Sequence, residues 1–116
     1  MKKKISVYYF WMIGKQVYYN YSKYSNIFQK YSDFYSYYYG NSYLFTRANI
    51  RNMYNFYLTF PIYSSSLEVF DWQQYQLLLN VYNKKERLFY FYVSLLFNSE
   101  YNEMYELIDN NYYNRL

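Results

Sequence analysis

Arg47, Arg51, Asn52 and Asn55 are the side chains of this sequence whose types and spacing best fit a chemistry. Arginine forks bidentately onto guanine or phosphate, and asparagine onto adenine. Positions 47, 51, 52 and 55 fall on one side of a helix about a turn apart, the placement that reading a DNA groove requires. The same pattern also describes an ordinary amphipathic helix whose polar face meets water. Thr46 is a good N-cap for this helix, Ile50, Met53, Tyr54 and Tyr57 recur at helical spacing as its apolar stripe, and Pro61 forbids continuation. Lys15, Lys23 and Lys30, together with Thr46, are candidates for the phosphate contacts that set register on a duplex.

The elements that must position this helix read as an all-α chain of about six helices with little or no sheet. The first is expected from about Lys3 to Tyr19, with Ile5, Tyr8, Met12 and Tyr19 facing inward. The second runs from about Ser25 to Tyr39, with Ile27, Tyr31, Phe34 and Tyr38 at helical spacing and Gly40 as its stop. Asn41 to Leu44 turns the chain into the arginine-bearing third helix, giving a helix-turn-helix whose third helix is the reader. Pro61 to Glu68 is irregular; a winged-helix reading would place a hairpin there, but too few alternating residues are available. Asp71 caps a fourth helix through Asn80, and Lys84 to Phe97 forms a fifth with Leu88, Phe91, Tyr92 and Leu95 inward. Ser99 starts a sixth, whose stripe is Met104, Leu107, Ile108 and Tyr112.

The 116 residues are read as a single domain, residues 1–116, able to bury one core but not two. The chain has 23 tyrosines, no cysteine, no histidine and two glycines. Tyrosine, asparagine, lysine, isoleucine and phenylalanine share AT-rich codons, so an AT-rich bacterial genome is the expected source of the bias. The tyrosines could stack on single-stranded bases, but their even spread through the predicted helices favours packing. Zinc-finger, thiol and histidine chemistry are excluded outright. No P-loop or dinucleotide fingerprint can be built from Gly14 and Gly40. Glu100, Glu103, Glu106 and Asp109 precess around the sixth helix as a solvated face rather than a metal cluster, and no metal or other cofactor is expected. Lys2, Lys3 and Lys4 with the apolar run that follows imitate a signal peptide, but the run is too short to span a bilayer and lacks a cleavage site. A cytoplasmic protein without a membrane partner is expected.

Charge is divided unevenly. Residues 1–67 carry eight basic side chains and one acidic, Asp33, whereas residues 68–116 carry four basic and seven acidic. The halves are therefore +7 and −3, and the arginine-bearing helix lies in the positive one, as a phosphate-facing surface would.

Phe45-Thr46, Asn49-Ile50, Met53, Phe56-Tyr57 and Phe60-Pro61 resemble the phrase "FS..NL..M..FY..FP" of the YhcG-type N-terminal domain. Tyr9 to Lys15 is similar to that family's "YW.IGK", and Lys23-Tyr24-Ser25 stands at its "EYG". Tyr39-Gly40 matches "(F/Y)G", and Phe70 to Tyr75 with Leu77-Leu78-Leu79 resembles "LSWSHY..LL". Glu86-Arg87, Phe89-Tyr90 and Tyr113 to Leu116 resemble "R.FY" and "YERL". The resemblance implies a non-catalytic helical DNA-binding module that precedes a PD-(D/E)XK nuclease domain in bacterial proteins. The chain departs from the pattern at Tyr54, where a basic residue is common, at Gln74, where histidine is, and at Asn98 to Met104, which lacks the tryptophan and arginine of "NWSVREL". A PD-(D/E)XK centre needs an acidic-x-Lys triplet to hold Mg²⁺ and polarise water, and no Asp-x-Lys or Glu-x-Lys occurs.

Three functional readings follow. The first is double-stranded DNA binding on behalf of a separately encoded nuclease domain. The second is an interaction or dimerisation module, docking a nuclease subunit or a second copy of itself through the fifth and sixth helices. The third is a truncated remnant without function.

Overall fold

Ser6 opens the first helix by accepting a hydrogen bond from the Tyr8 backbone N–H at 3.2 Å. In this computed structural model, which describes residues 5–40 and 42–116, six α-helices and three short 3-10 turns account for all regular structure, and no strand occurs among the described residues. The expected helical start at Lys3 and the expected turn residue Asn41 lie outside the described residues. Contacts group the chain into two compact units, an N-terminal one of Ser6–Leu67 and a C-terminal one containing Glu68–Leu116. The boundary coincides with the change in charge sign at residues 67 and 68.

In the N-terminal unit, α1 (Val7–Asn20) buries Val7, Phe10, Trp11, Ile13, Gly14 and Val17. The inward register differs from the expected one. Ile5 precedes the helix and is exposed, Tyr19 is exposed, and Tyr8 lies at the edge with its ring 5.0 Å from that of Tyr63. Valine, phenylalanine and isoleucine bring no polar atom into a core, whereas each tyrosine hydroxyl needs a partner, so the aliphatic stripe prevails over the tyrosine stripe. Met12, also expected inward, is half-buried.

α2 (Ile27–Tyr39) starts after Asn26 in the left-handed region and ends at Gly40, whose φ of 84° favours glycine. Two polar anchors set its rotation. Ser32 Oγ donates to the Phe45 carbonyl at 2.6 Å, and Tyr35 donates to Gln16 Oε1 at 2.9 Å while stacking on Phe45 at 5.5 Å. Ile27 is buried and Tyr31 half-buried, but Phe34 and Tyr38 are turned out to solvent, contrary to expectation.

A 3-10 turn, Tyr43–Phe45, leads into α3 (Arg47–Thr59). The connection from Gly40 to Thr46 is longer than the roughly 3–4-residue turn of a tight helix-turn-helix. Thr46 caps α3, accepting from Asn49 N at 3.2 Å, and Pro61 follows its C-cap Phe60. α3 packs chiefly on α1 and less extensively on α2. At the crossing, a Cβ on Gly14 would overlap the Met53 carbonyl, so glycine lets the two backbones meet.

A second 3-10 element, Ser65–Val69, occupies the stretch where a winged fold would need its hairpin. In the C-terminal unit, α4 (Trp72–Leu79) opens with a reciprocal box. Asp71 Oδ1 accepts from Gln74 N at 2.9 Å, and Gln74 Oε1 accepts from Asp71 N at 3.2 Å. The buried Gln74 also donates through Nε2 to the Ser99 carbonyl at 2.9 Å, so it is a strut inside this unit.

α5 (Lys84–Leu96) is rotated by its own anchors. The Arg87 guanidinium forks onto the Val81 carbonyl at 3.1 and 3.0 Å, and buried Tyr90 accepts from Tyr113 N at 3.1 Å. Phe91 is half-buried, 5.5 Å ring to ring from Phe70, but Leu88, Tyr92 and Leu95 face solvent rather than the core. α6 (Tyr101–Asp109) is capped by Glu100 rather than Ser99, and Glu103 Oε1 accepts from Glu100 N at 2.9 Å. Ser99 is buried, and its carbonyl accepts from Gln74. Met104 is buried, with Leu107 and Ile108 half-buried, as the helical spacing predicts, whereas Tyr112 is exposed at the start of the last 3-10 turn, Tyr112–Arg115.

Ser94 is fully buried on α5, and its Oγ is the one buried side-chain polar atom without a hydrogen-bond partner among the described residues. A buried unsatisfied hydroxyl costs about 1–3 kcal/mol. Ser94→Ala is therefore expected to raise stability by about 1 kcal/mol, read as a higher urea midpoint at unchanged m-value. A lower midpoint would mean that the hydroxyl is satisfied.

Candidate nucleic-acid interface

α3 is built to present one side. Asn49, Ile50, Met53, Phe56 and Tyr57 are buried and define its inner face. The outward row is Arg47 and Arg51, one turn apart, with Ala48 beside it. Arg47 and Arg51 are exposed, whereas Asn52 and Asn55 are half-buried at the flank of the row. The helix contains no carboxylate, and neither do the residues linking it to α2.

Arg51 lies with its guanidinium carbon 5.3 Å from the centre of the Phe28 ring at the start of α2. This cation–π contact ties the Arg51 side chain to α2, and a guanidinium held in this way can still fork onto phosphate or guanine. Tyr54 completes this small aromatic shelf, 5.2 Å from Tyr21 in a nearly parallel stack and 5.6 Å from Phe28. Tyr54 is half-buried at the edge of α3 rather than in its apolar stripe.

Thr46 is exposed, but its hydroxyl is engaged, accepting from Asn49 N and donating to the Tyr43 carbonyl at 3.4 Å. The three lysines are not gathered with the arginines by any contact. Lys15 lies over Trp11 at 5.3 Å, and Trp11 Nε1 donates to the Phe60 carbonyl at the C-terminal end of α3, so its ammonium is held toward the end opposite Arg47. Lys30 lies over Tyr24 at 5.2 Å and borders a groove of about 270 Å³ with Gln16, Tyr31 and Phe34. Lys23 is exposed in the link between α1 and α2. Geometry thus brings together Arg47, Arg51, Asn52 and Asn55 on one helix, and scatters the lysines around the unit.

Asn49 carries structure that spacing alone did not single out. It is buried, and its Nδ2 donates to the Leu44 carbonyl at 2.7 Å, tying α3 to the 3-10 turn before it. Its place three residues after the Thr46 cap is the signal that could have found it.

Three tyrosines of this unit titrate above the ordinary value of 10.0. Burial is the main cause for Tyr57, followed by its hydrogen bond with Tyr19; burial is also the main cause for Tyr54, followed by Tyr21 and Tyr18. Tyr35 is raised by burial, then by Tyr31 and Tyr39. Each holds its proton more tightly when folded, so the stability it contributes is complete below pH 10 and falls as pH rises through the folded value. Denaturant midpoints are expected to be level up to about pH 9.5 and to decline above about pH 10. A midpoint that rises across that window would contradict the burial of these hydroxyls.

Among the described residues no group of three or more acidic, histidine or cysteine side chains could hold a metal, and no helix is long and apolar enough to cross a membrane. The chain matches no family model, no curated protein and no solved structure.

Proposed function

We propose that the N-terminal unit is a non-catalytic DNA-binding module that reads duplex DNA with α3. One observation carries the reading: two exposed arginines occupy the first two turns of a helix that offers them no carboxylate. The N-terminal end of a helix carries partial positive charge, so a cation in the first turn, where Arg47 stands, is disfavoured by about 0.3–1 kcal/mol. An arrangement that costs folding stability is accounted for when an anion completes it, and a DNA phosphate or guanine edge is the anion or acceptor that arginine forks fit. The unit around α3 supports the reading, with five described basic side chains against the single Asp33.

The series of phrases resembling the YhcG-type N-terminal domain supports a narrower role, targeting a PD-(D/E)XK nuclease in a bacterial, cytoplasmic system. Contacts are assigned to Arg47 and Arg51 first, then to Asn52 and Asn55. Lys15, Lys23 and Lys30 serve as diffuse positive charge rather than as a shared site. Titration of a labelled duplex at two salt concentrations tests this. Affinity should fall steeply with salt, with log K decreasing by roughly 0.9 per phosphate neutralised for each tenfold rise. Salt-independent binding, or none at low salt, would refute it.

A further inference from the structure

Asp33 is the only acidic side chain among residues 1–67, and it stands exposed on α2. Among the described residues its one hydrogen bond comes from Gln29 Nε2, at 2.8 Å. Gln29, Asp33 and Ser36 follow on one side of α2 and, with Ser42, Tyr43 and Thr46 from the link to α3, line a groove of about 510 Å³. The groove ends beside Thr46, the cap of α3, one residue before Arg47. What it offers most is acceptors. Asp33 keeps its second carboxylate oxygen, Gln29 keeps Oε1 after giving its amide to Asp33, and no described lysine or arginine lines the groove. A free cation is a poor ligand for this lining, because the surrounding unit carries five described basic side chains against this one acid. The amino group of a nucleic-acid base is a neutral donor and meets no such repulsion.

A reader helix meets base edges with its N-terminal residues, the end at which this groove lies. A carboxylate there is repelled by phosphate, so it weakens binding to every sequence unless a base supplies an N–H. In the major groove only cytosine and adenine present an amino group. Adenine sets its N7 acceptor beside that group, which a carboxylate, itself only an acceptor, does not match; cytosine has no such neighbour. We propose that Asp33 is a base-specificity residue of the N-terminal unit, accepting from the amino group of a cytosine beside the bases that Arg47 and Arg51 approach. Gln29 holds the carboxylate in place. The assignment rests on duplex binding by α3 and adds to it an acceptor that the arginines, which only donate, do not supply.

Selection of bound duplexes from a random pool tests it. The parent should favour cytosine at one position by about tenfold. Asp33→Ala should lose that preference and bind the rest of the pool at least as tightly, because a negative charge has gone. Asp33→Asn should move the preference to adenine, which asparagine matches by donating and accepting. Both variants should keep the helical circular dichroism, since Asp33 is exposed. In a duplex with N4-methylcytosine at the selected position, a methyl group replaces the N–H that faces the major groove. That duplex should bind the parent about tenfold more weakly, and Asp33→Ala no differently from the unmodified one. A role confined to the positive end of α3 would leave base preference unmoved in both variants. If the parent binds no duplex, the reading of α3 fails and this assignment with it. If the parent binds but Asp33→Ala keeps the cytosine preference, or the methyl group weakens both proteins alike, Asp33 alone is misassigned and the reading of α3 stands.

Discussion

Gly14→Ala should destabilise the protein by about 3 kcal/mol, with a matching fall in urea midpoint, although alanine is the better helix former by about 1 kcal/mol. Gly14 is buried in the middle of α1, and a Cβ there would overlap the Met53 carbonyl, 2.6 Å from its carbon and 3.2 Å from Tyr54 N. These are backbone atoms of α3, so no rotamer change can relieve the overlap. α1 and α3 would have to separate, loosening buried Val17, Ile50 and Met53 and straining the bond from Trp11 to the Phe60 carbonyl. Gly40→Ala is the informative contrast. Nothing lies within 4 Å of a Cβ there, and only the φ of 84° opposes it, so it should cost about 1 kcal/mol. A Gly14→Ala protein as stable as the parent would mean that the two helices do not touch at this point.

The helix ends were legible where one residue does the work by local chemistry. Thr46 and Asp71 cap, Gly40 takes a positive φ, and Pro61 follows the end of α3, each as expected from type and neighbours alone. Inward faces were less legible, for a physical reason. Tyrosine is apolar over most of its surface and polar at its tip, so 23 of them mark both core and surface. In α2 and α5 the rotation is decided by polar groups reaching distant carbonyls, Ser32 to Phe45 and Arg87 to Val81, and helical periodicity does not report such partners. Gln74 shows the same limit. It stands where the resemblance has a histidine, and it is the buried strut between Asp71 and Ser99, a role that helical spacing does not announce. On α3 the periodicity did place Arg47 and Arg51 outward, because one helix face needs no tertiary information, whereas Asn52 and Asn55, expected on the same face, are half-buried.

The double variant Arg47→Ala, Arg51→Ala should weaken duplex binding by about a hundredfold and reduce the slope of log K against log salt by about 2. The two effects separate the ways an arginine can act. Loss of a phosphate contact lowers affinity for every sequence and takes about one unit from the slope, whereas loss of a base contact relaxes discrimination at one position by about 1–3 kcal/mol. Arg51, oriented by Phe28, is the better candidate for a directed contact, so Phe28→Leu should mimic part of Arg51→Ala by removing the stack while keeping the charge. Arg47, with no such stack, should behave as a phosphate contact. Folding is not at issue, because both arginines are exposed and alanine favours the helix. Arg115→Ala removes the same charge from the C-terminal unit and should leave binding nearly unchanged. If it weakens binding as much as either α3 substitution, net charge rather than α3 carries the interaction, and the assigned recognition face is wrong.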